Sequence, residues 1–567
     1  MNATADTVPD VPRCVKPRHD RRTAAATVIS FAHAREKAIS QRQFARDQGV
    51  ARSTLQGWVA RRGRIDAKPS VVAFLESPDG LEFAHAIVTS AQYHFTEAGP
   101  DGIRRLQAFI RCSPLAPFVA SSYGSLQKSA RIMEDSIIDF DAEQKPIMAK
   151  AMTPKKVSLA EDESFFPEPC LVAIDPVSNF IFLEEYADDR TAETWNTALK
   201  KSIDGLPVVI IQSVSDQAKG LMRHALVGLG VHHSPDLFHV QREVSKAFGP
   251  MLRALIRKAK GVIDAESESV AAEVSARDEY LRQITSRGPG RPPDFEGRIE
   301  TAKTAVVQAQ ASLTELEKQQ EEVYAEIRGI GIDHHPFDLQ TGQMRQAPDV
   351  EQDLAQRFEA LEAIADDLGM KEQPRKYVEK ARRVIPELVA TIAFFWSMVT
   401  STIKERALPK AIEQFVRQTL IPLAYLKLVA PKLKSNSDQR DIVRATIARL
   451  QEAADSAQSP IACLDADIRT AVLALARECA EIFQRSSSSV EGRNGTLSLH
   501  HHAGRNLTPR RLRVLNIIHE LRDQTIRRNH RSRATFRLQT PGPVHMGPRA
   551  PAATQPASAL ARRGELS

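Results

Sequence analysis

The chain has two hydrophobic rhythms. Between 157 and 240 the apolar residues gather in short runs of strand length, parted by turn-forming residues; elsewhere they recur every three or four positions, the period of a helix buried on one face. The runs 157–166, 170–174 and 180–186 predict strands, and the turn Asp175-Pro176-Val177-Ser178-Asn179 predicts an antiparallel hairpin between the last two. Ala192, Trp195, Ala198, Leu199 and Ile203 then repeat at helical spacing, with Thr191 placed to cap. Residues 208–214 are largely apolar, as expected of a strand covered on both faces. A helix over 218–229 and a short run at 237–240 complete the order β-β-β-α-β-α-β.

The rest reads as helix or as linker. Residues 1–30 predict a disordered N-terminus, 31–66 a compact helical unit, and 67–142 a second helical domain broken at Pro78, Pro100 and Pro114. The proline- and lysine-bearing stretch 143–156 reads as a linker. The mixed sheet begins at 155 and its first part runs to 245; an all-helical insertion follows over 246–484. Within it, 269–284 and 298–327 are charged and coiled-coil-like, and 385–429 is apolar enough to carry a core of its own. So long an insertion exceeds the usual domain connection and implies a function of its own. Residues 485–538 return with one more pair of helices, and 539–567, rich in Pro, Ala and Arg, predict a disordered tail.

Composition narrows the class. At 567 residues the chain holds several domains. The net charge of +7 suits a polyanionic partner without requiring one, but its distribution is more telling: 505–537 carries ten arginines against Glu520 and Asp523. Five scattered cysteines with no CxxC pair argue against a disulfide framework or a structural zinc site and fit a reducing compartment. No apolar run approaches bilayer length, and the expectation is a cytoplasmic, nucleoid-associated protein. No phosphate loop ending in Gly-Lys-Ser/Thr is present, so no ATP motor is indicated.

Two constellations carry chemistry. Residues 41–58 place Ala45 where two helices must touch, Gly49 at the turn, and Phe44, Val50, Leu55 and Trp58 on the packed face. That is a helix-turn-helix, whose outward residues Arg46, Arg52, Ser53, Thr54 and Gln56 suit phosphates and base edges. The second is a set of acids: Asp162 and Asp216 at the ends of strand-like runs, and Glu491 in Ser486-Ser487-Ser488-Ser489-Val490-Glu491-Gly492-Arg493-Asn494-Gly495. Carboxylates are the natural ligands of magnesium, and two ions about 3.5–4 Å apart can stabilise both oxygens of an in-line phosphodiester displacement. Glu161, Glu163, Asp188, Asp189 and Asp236 are competitors of the same type, and His239 reads equally as a phosphate-steering group or as part of a helix start. Arg493, Asn494, Arg505, Arg510 and Arg511 complete the expected DNA contacts, since a guanidinium can grip phosphate bidentately. His500, His501 and His502 suit DNA contact or plain surface better than a metal site. A stretch at 287–293 reads as a flexible linker more readily than as a minor-groove hook.

The segments Asp162-Glu163-Ser164-Phe165-Phe166, Ser215-Asp216-Gln217-Ala218-Lys219-Gly220, Asp236-Leu237-Phe238-His239-Val240 and Val490-Glu491-Gly492-Arg493-Asn494 resemble the motifs of DDE transposases of bacterial insertion sequences. The resemblance covers 155–245 and 485–525 together with the N-terminal helix-turn-helix. It implies an α/β RNase H-like mixed-sheet catalytic core interrupted by a large all-α insertion. It also implies Asp162, Asp216 and Glu491 as catalytic ligands of two Mg²⁺ ions (Mn²⁺ can substitute), and cleavage and strand transfer at the ends of an insertion sequence. The partners so implied are the element's terminal repeats and target DNA as double strands, with a homo-oligomer in the synaptic complex. The competing expectation is a catalytically inactive, transposase-derived DNA-binding regulator.

Overall fold

The computed structural model describes residues 21–62, 65–166, 168–284, 291–433, 437–503 and 507–521. The chain divides into a unit spanning 1–518 and a second from 519 onward, of which only the helical residues 519–521 are described. The predicted features at 1–20, Arg505 and 539–567, and most of 287–293, lie outside the described residues.

Three helices open the described chain: α1 (Arg21–Glu36), α2 (Gln41–Asp47) and α3 (Arg52–Arg62). Val28, Phe31 and Ala34 of α1 close over Phe44, Ala45, Val50 and Leu55, the last fully buried. The expected disorder over 1–30 is therefore corrected for 21–30, where the apolar face of α1 completes the helix-turn-helix core. Ser40 caps α2 through the Gln43 amide at 3.2 Å. Gly49 holds the turn at φ +63, a conformation that costs a residue with a Cβ atom.

Four more helices, α4 (Pro69–Glu76), α5 (Pro78–Gln92), α6 (Ile103–Cys112) and α7 (Tyr123–Ala151), pack around Leu81, Ala84, Leu106 and Ile110. Helix α7 runs through the stretch expected to be a linker and tolerates Pro146 inside it. Only three residues separate it from the first strand.

The sheet has five strands, β1 (Lys155–Phe165), β2 (Pro169–Ile174), β3 (Ile181–Tyr186), β4 (Val208–Ser215) and β5 (His232–Pro235), in the order β3-β2-β1-β4-β5. The first three pair antiparallel, while β4 joins β1 and β5 joins β4 in parallel. The crossovers are α8 (Ala192–Ile203), capped by Thr191, and α9 (Lys219–Arg223) followed by a π-helical turn, His224–Leu229. The last strand lies earlier than expected: 237–240 begins a helix, because Asp236 caps it through the Phe238 amide at 2.9 Å.

Both faces of the sheet are covered, in agreement with a mixed α/β core. On one face Leu159, Leu171, Ala173 and Leu183 meet Trp195 and Leu199 of α8. On the other, Ala160, Val172, Ile174 and Ile181 meet Val490 and Leu497 of α19 (Ser488–His502) together with Leu512 and Leu515 of the helical residues that follow. Burying a side chain such as Trp195 or Leu497 contributes on the order of 2 kcal/mol.

Between β5 and α19 the chain is helical: α10 (Leu237–Gln283), α11 (Phe295–Asp333), α12 (Ala347–Asp367), α13 (Glu372–Arg382), α14 (Ile385–Lys404), α15 (Lys410–Phe415), α16 (Ile421–Val429), α17 (Ser437–Asp455) and α18 (Ala466–Glu481). Its core stacks Phe337, Phe395, Trp396, Tyr425 and Phe483 edge to face, with Leu388, Ile392 and Val399 around them. The stretch Glu372–Lys404 is long and apolar enough to cross a membrane by length and composition, which the sequence reading did not anticipate. Its apolar residues Ile385, Leu388, Ile392, Phe395, Val399 and Ile403 are buried in this core, as in a core helix of a globular domain.

The insertion is tied to the sheet where it leaves and where it returns. The Leu237 amide donates to the Arg485 carbonyl at 3.0 Å, Gln212 Nε2 donates to the Gln484 carbonyl at 2.9 Å, and His232 stacks on Phe394 with ring centroids 4.5 Å apart. Entry and exit thus meet at the end of β5, and the chain resumes as α19 over the same sheet it left.

Candidate metal centre

The ends of three neighbouring parallel strands carry three of the acids. The last paired residues of β1 and β4 are Ala160 and Val214; two positions further on each strand stand Asp162 and Asp216. The β4–β5 ladder ends at Ser215 and Pro235, and the next residues are Asp216 and Asp236. Asp162, Asp216 and Asp236 therefore follow one another across the carboxyl edge of β1, β4 and β5.

The pleat separates the three adjacent acids of β1. Because side chains alternate between faces, Asp162 shares the α19 side with Ala160, and Asn494 Nδ2 of α19 donates to Asp162 Oδ2 at 3.0 Å. Glu161 and Glu163 point the other way. Glu161, fully buried, accepts from Ser213 Oγ and lies 3.2 Å from His224 Nε2, whose Nδ1 is 2.6 Å from Asn196 Oδ1. Glu163 pairs with Arg190 at 3.0 Å and accepts from Trp195 Nε1 at 3.3 Å. Strand alternation thus puts Asp162 alone of the three on the face that α19 covers.

Glu491, in the first turn of α19, comes to the same edge. Ligand atoms of Asp236, His239 and Glu491 lie within 4.8 Å of one another; among the described residues Asp162 and Asp216 do not join that group, so the structure does not bring the expected trio of Asp162, Asp216 and Glu491 into one cluster. The sequence reading had left Asp236 and His239 out of the ligand set; the geometry brings both beside Glu491. The signal was the Asp-x-x-His spacing: one helical turn into α10, the Nδ1 of His239 sits 3.0 Å from Asp236 Oδ2. Ser487 Oγ also donates to Asp236, which links the helix carrying Glu491 to the start of α10.

Each group's protonation reflects this crowding. Burial raises the Asp162 carboxyl to about 6; Asp216 and Glu163 raise it too, against the Glu163 amide and His239, which lower it. Burial and then Asp236 raise Glu491, with His239 and Arg242 opposing. Burial would also raise Asp236, but hydrogen bonds from His239, Ser487 and the Phe238 amide outweigh it and hold that carboxyl below its usual range. His239 is raised by its hydrogen bond to Asp236 and, after a smaller opposing effect of burial, by the charges of Asp236, Asp216 and Asp162. His239 thus feels all three strand-end acids and acts back on Glu491. Asp216 accepts from the Ala218 amide at 2.9 Å, which ties its carboxylate to the residue that caps the following helix.

The expected DNA contacts divide. Arg46, Arg52, Ser53 and Gln56 are exposed on α2 and α3, and Thr54 is half-buried. Arg493, Arg510 and Arg511, three of the expected contacts, are engaged with protein. Arg493 is buried and makes two 2.6 Å hydrogen bonds to the buried Glu184, a fork-to-fork pair that leaves no face for phosphate. Arg511 is buried against Glu97 and the Thr96 carbonyl, and Arg510 reaches Glu134 and Asp135 at 2.9 and 2.6 Å. The expected role in gripping phosphate is corrected for the buried Arg493 and Arg511, whose guanidinium groups a buried carboxylate already occupies, while Arg510 keeps an exposed face. Asn494 serves Asp162 rather than solvent, and His500, expected at the surface or on DNA, is buried.

A family model described as a family of unknown function, DUF6399, matches residues 416–542, which takes in α18, α19 and Glu491. No curated protein and no solved structure matches the chain.

Proposed function

We propose that the chain is a DDE-type transposase that cuts and joins DNA strands at the ends of an insertion sequence. The observation that carries this reading is the return of Glu491, through the whole helical insertion, to the edge where Asp162, Asp216 and Asp236 end three adjacent strands. The strand order, with three antiparallel strands followed by two parallel ones, supports an RNase H-like core.

The donor set fits a hard divalent cation. The candidate ligands save His239 are carboxylates, Asp162 and Glu491 are both raised by burial and a neighbouring acid, and the buried Asn494 Oδ1 lacks a hydrogen-bond partner beside Asp162. Asp162, Asp216 and Glu491 would hold magnesium or manganese, with Asp236 and His239 adjoining. Such ions supply charge stabilisation to the entering and leaving oxygens of a phosphodiester. The chain's own residues do the positioning. Asn494 fixes the Asp162 carboxylate, the Ala218 amide fixes that of Asp216, and Asp236 holds the His239 ring through Nδ1. The exposed α3 residues Arg52, Ser53 and Gln56 suit the major groove of a duplex, as in other helix-turn-helix units.

The test is nicking of duplex DNA taken from the flanks of the coding region, in Mg²⁺ or Mn²⁺. Wild type should cut and Asp216→Asn should bind without cutting. A wild-type protein that binds the same duplex and never cuts it in either metal would instead be a DNA-binding regulator derived from such an enzyme.

A further inference from the structure

Beside the acids lies a cavity of ≈340 Å³ with two unlike walls. One wall is the strand-end edge: Asp216, Asp236 and His239. The other belongs to the helical insertion, where α13 contributes Lys380 and Ala381. A helix far along the chain thus closes one side of the site.

That helix is cationic on one face. Lys376, Lys380 and the C-cap Arg383 follow at intervals of four and three, so they form a single row. Their side chains are 55%, 63% and 80% exposed. Lys376 pairs with Glu372 at 3.1 Å and Arg383 with Glu379 at 3.5 Å, both on their own helix, and such exposed pairs are easily exchanged. Lys380 reaches Glu243 at 3.6 Å, but that carboxylate already holds Lys246 at 2.8 Å. The neighbouring helix α10, packed against α13, adds the exposed Arg242, close enough to Glu491 to lower it. A row of weakly held cations whose middle member, Lys380, lines the acidic cavity matches a strand that presents one phosphate to the acids and its neighbours to the row.

We infer that the α13 row, Lys376, Lys380 and Arg383, binds the phosphates of the DNA strand next to the one held at the acidic edge, which makes the insertion a substrate-positioning arm. The inference rests on the proposed nuclease chemistry for the identity of the strand, but its binding step can be measured without cleavage. Helix-turn-helix contacts set where the protein sits on a duplex; the α13 row sets how one strand lies across the acids.

The experiment uses full-length protein and a fluorescent single-stranded oligonucleotide of about 16 nucleotides, long enough for one strand-binding surface. Affinity is read by anisotropy across a salt series without divalent cation. Lys380→Gln with Arg383→Gln should weaken binding about tenfold at ~0.1 M salt and lower the slope of log affinity against log salt by about 1.4, the loss of two phosphate contacts. Lys380→Arg should keep wild-type affinity, Lys318→Gln on α11 should change nothing, and Arg52→Ala should weaken duplex binding while sparing the single strand. The double variant should keep the wild-type thermal midpoint, since both side chains are exposed. Wild-type affinity and slope in the double variant, or no binding of the oligonucleotide by wild type, would overturn the inference. Nicking separates it from the proposed function. If wild type never cuts but the double variant loses the strand, the arm stands and the nuclease falls; if wild type cuts and the double variant binds and cuts equally, only the arm falls.

Discussion

At the scale of the residue, Asp162 and Arg493 show how one side chain's surroundings decide its work. Asp162 holds its proton up to about 6 because burial and Asp216 disfavour its charge. A carboxyl must ionise to hold a cation, so Mn²⁺ affinity should fall up to about tenfold for each pH unit below ~6 and level off above it; calorimetric titration at pH 5 and 7.5 checks this. The same shift acts on folding with the opposite slope. The metal-free folded state holds this proton more tightly than the unfolded chain, so its contribution is present below about pH 4 and is lost as pH rises through about 6. Urea denaturation in chelator should find that Asp162→Asn, relative to wild type, is more stable at pH 7.5 than at pH 4. Arg493 makes the contrary point. A guanidinium two residues past a catalytic-looking glutamate reads as a phosphate clamp, yet it is spent on Glu184. Arg493→Ala should cost about 3–5 kcal/mol by stranding a buried carboxylate, whereas replacing both partners by apolar residues of similar volume should recover most of it. Chemical denaturation of the single and double variants decides.

At the scale of the element, the legible parts were those whose pattern is local. The strands β1 to β4 and helix α8 fall where run length and spacing place them, because a strand covered on both faces must be apolar and a capped amphipathic helix declares its start. The helix-turn-helix was legible for the same reason, and its turn offers a direct check. Gly49→Ala should destabilise the N-terminal unit by about 1 kcal/mol, the cost of a Cβ at positive φ, while Arg52→Ala should weaken duplex binding and leave the thermal midpoint unchanged. What the pattern hid depended on distant partners. Helix α1 looked like polar N-terminal chain until Phe44 and Leu55 were there to cover Val28 and Phe31. The run at 237–240 looked like a strand because Leu237 and Val240 are apolar, but the Asp236 cap commits it to helix. Asp236 itself read as one more competing acid; it caps α10, and only the fold shows that the capped end also faces Glu491. Choosing among Glu161, Asp162 and Glu163 needed the pleat and the identity of the covering helix, neither of which a single strand's sequence contains.

At the scale of the whole molecule, the insertion is held at both ends and braced from outside. The helical residues after α19 are clasped to the second helical domain by Arg510 and Arg511, through Glu134, Asp135, Glu97 and the Thr96 carbonyl. Arg511→Ala should therefore loosen the C-terminal region as a body: protease should cut within the helical residues 507–518 sooner, and stability should fall by about 3 kcal/mol, since Glu97 would remain buried without its guanidinium. Wild-type proteolysis rates in that variant would show that the clasp is ornamental. The order of the parts along the polypeptide has its own consequence. A ribosome completes α2 and α3 first, and Glu491 emerges only after the entire α10–α18 body has been synthesised. On the proposed reading, a nascent or prematurely ended chain can occupy DNA but cannot break it, so every abortive product becomes a competitor of the full-length enzyme and self-limitation is written into the gene's reading direction.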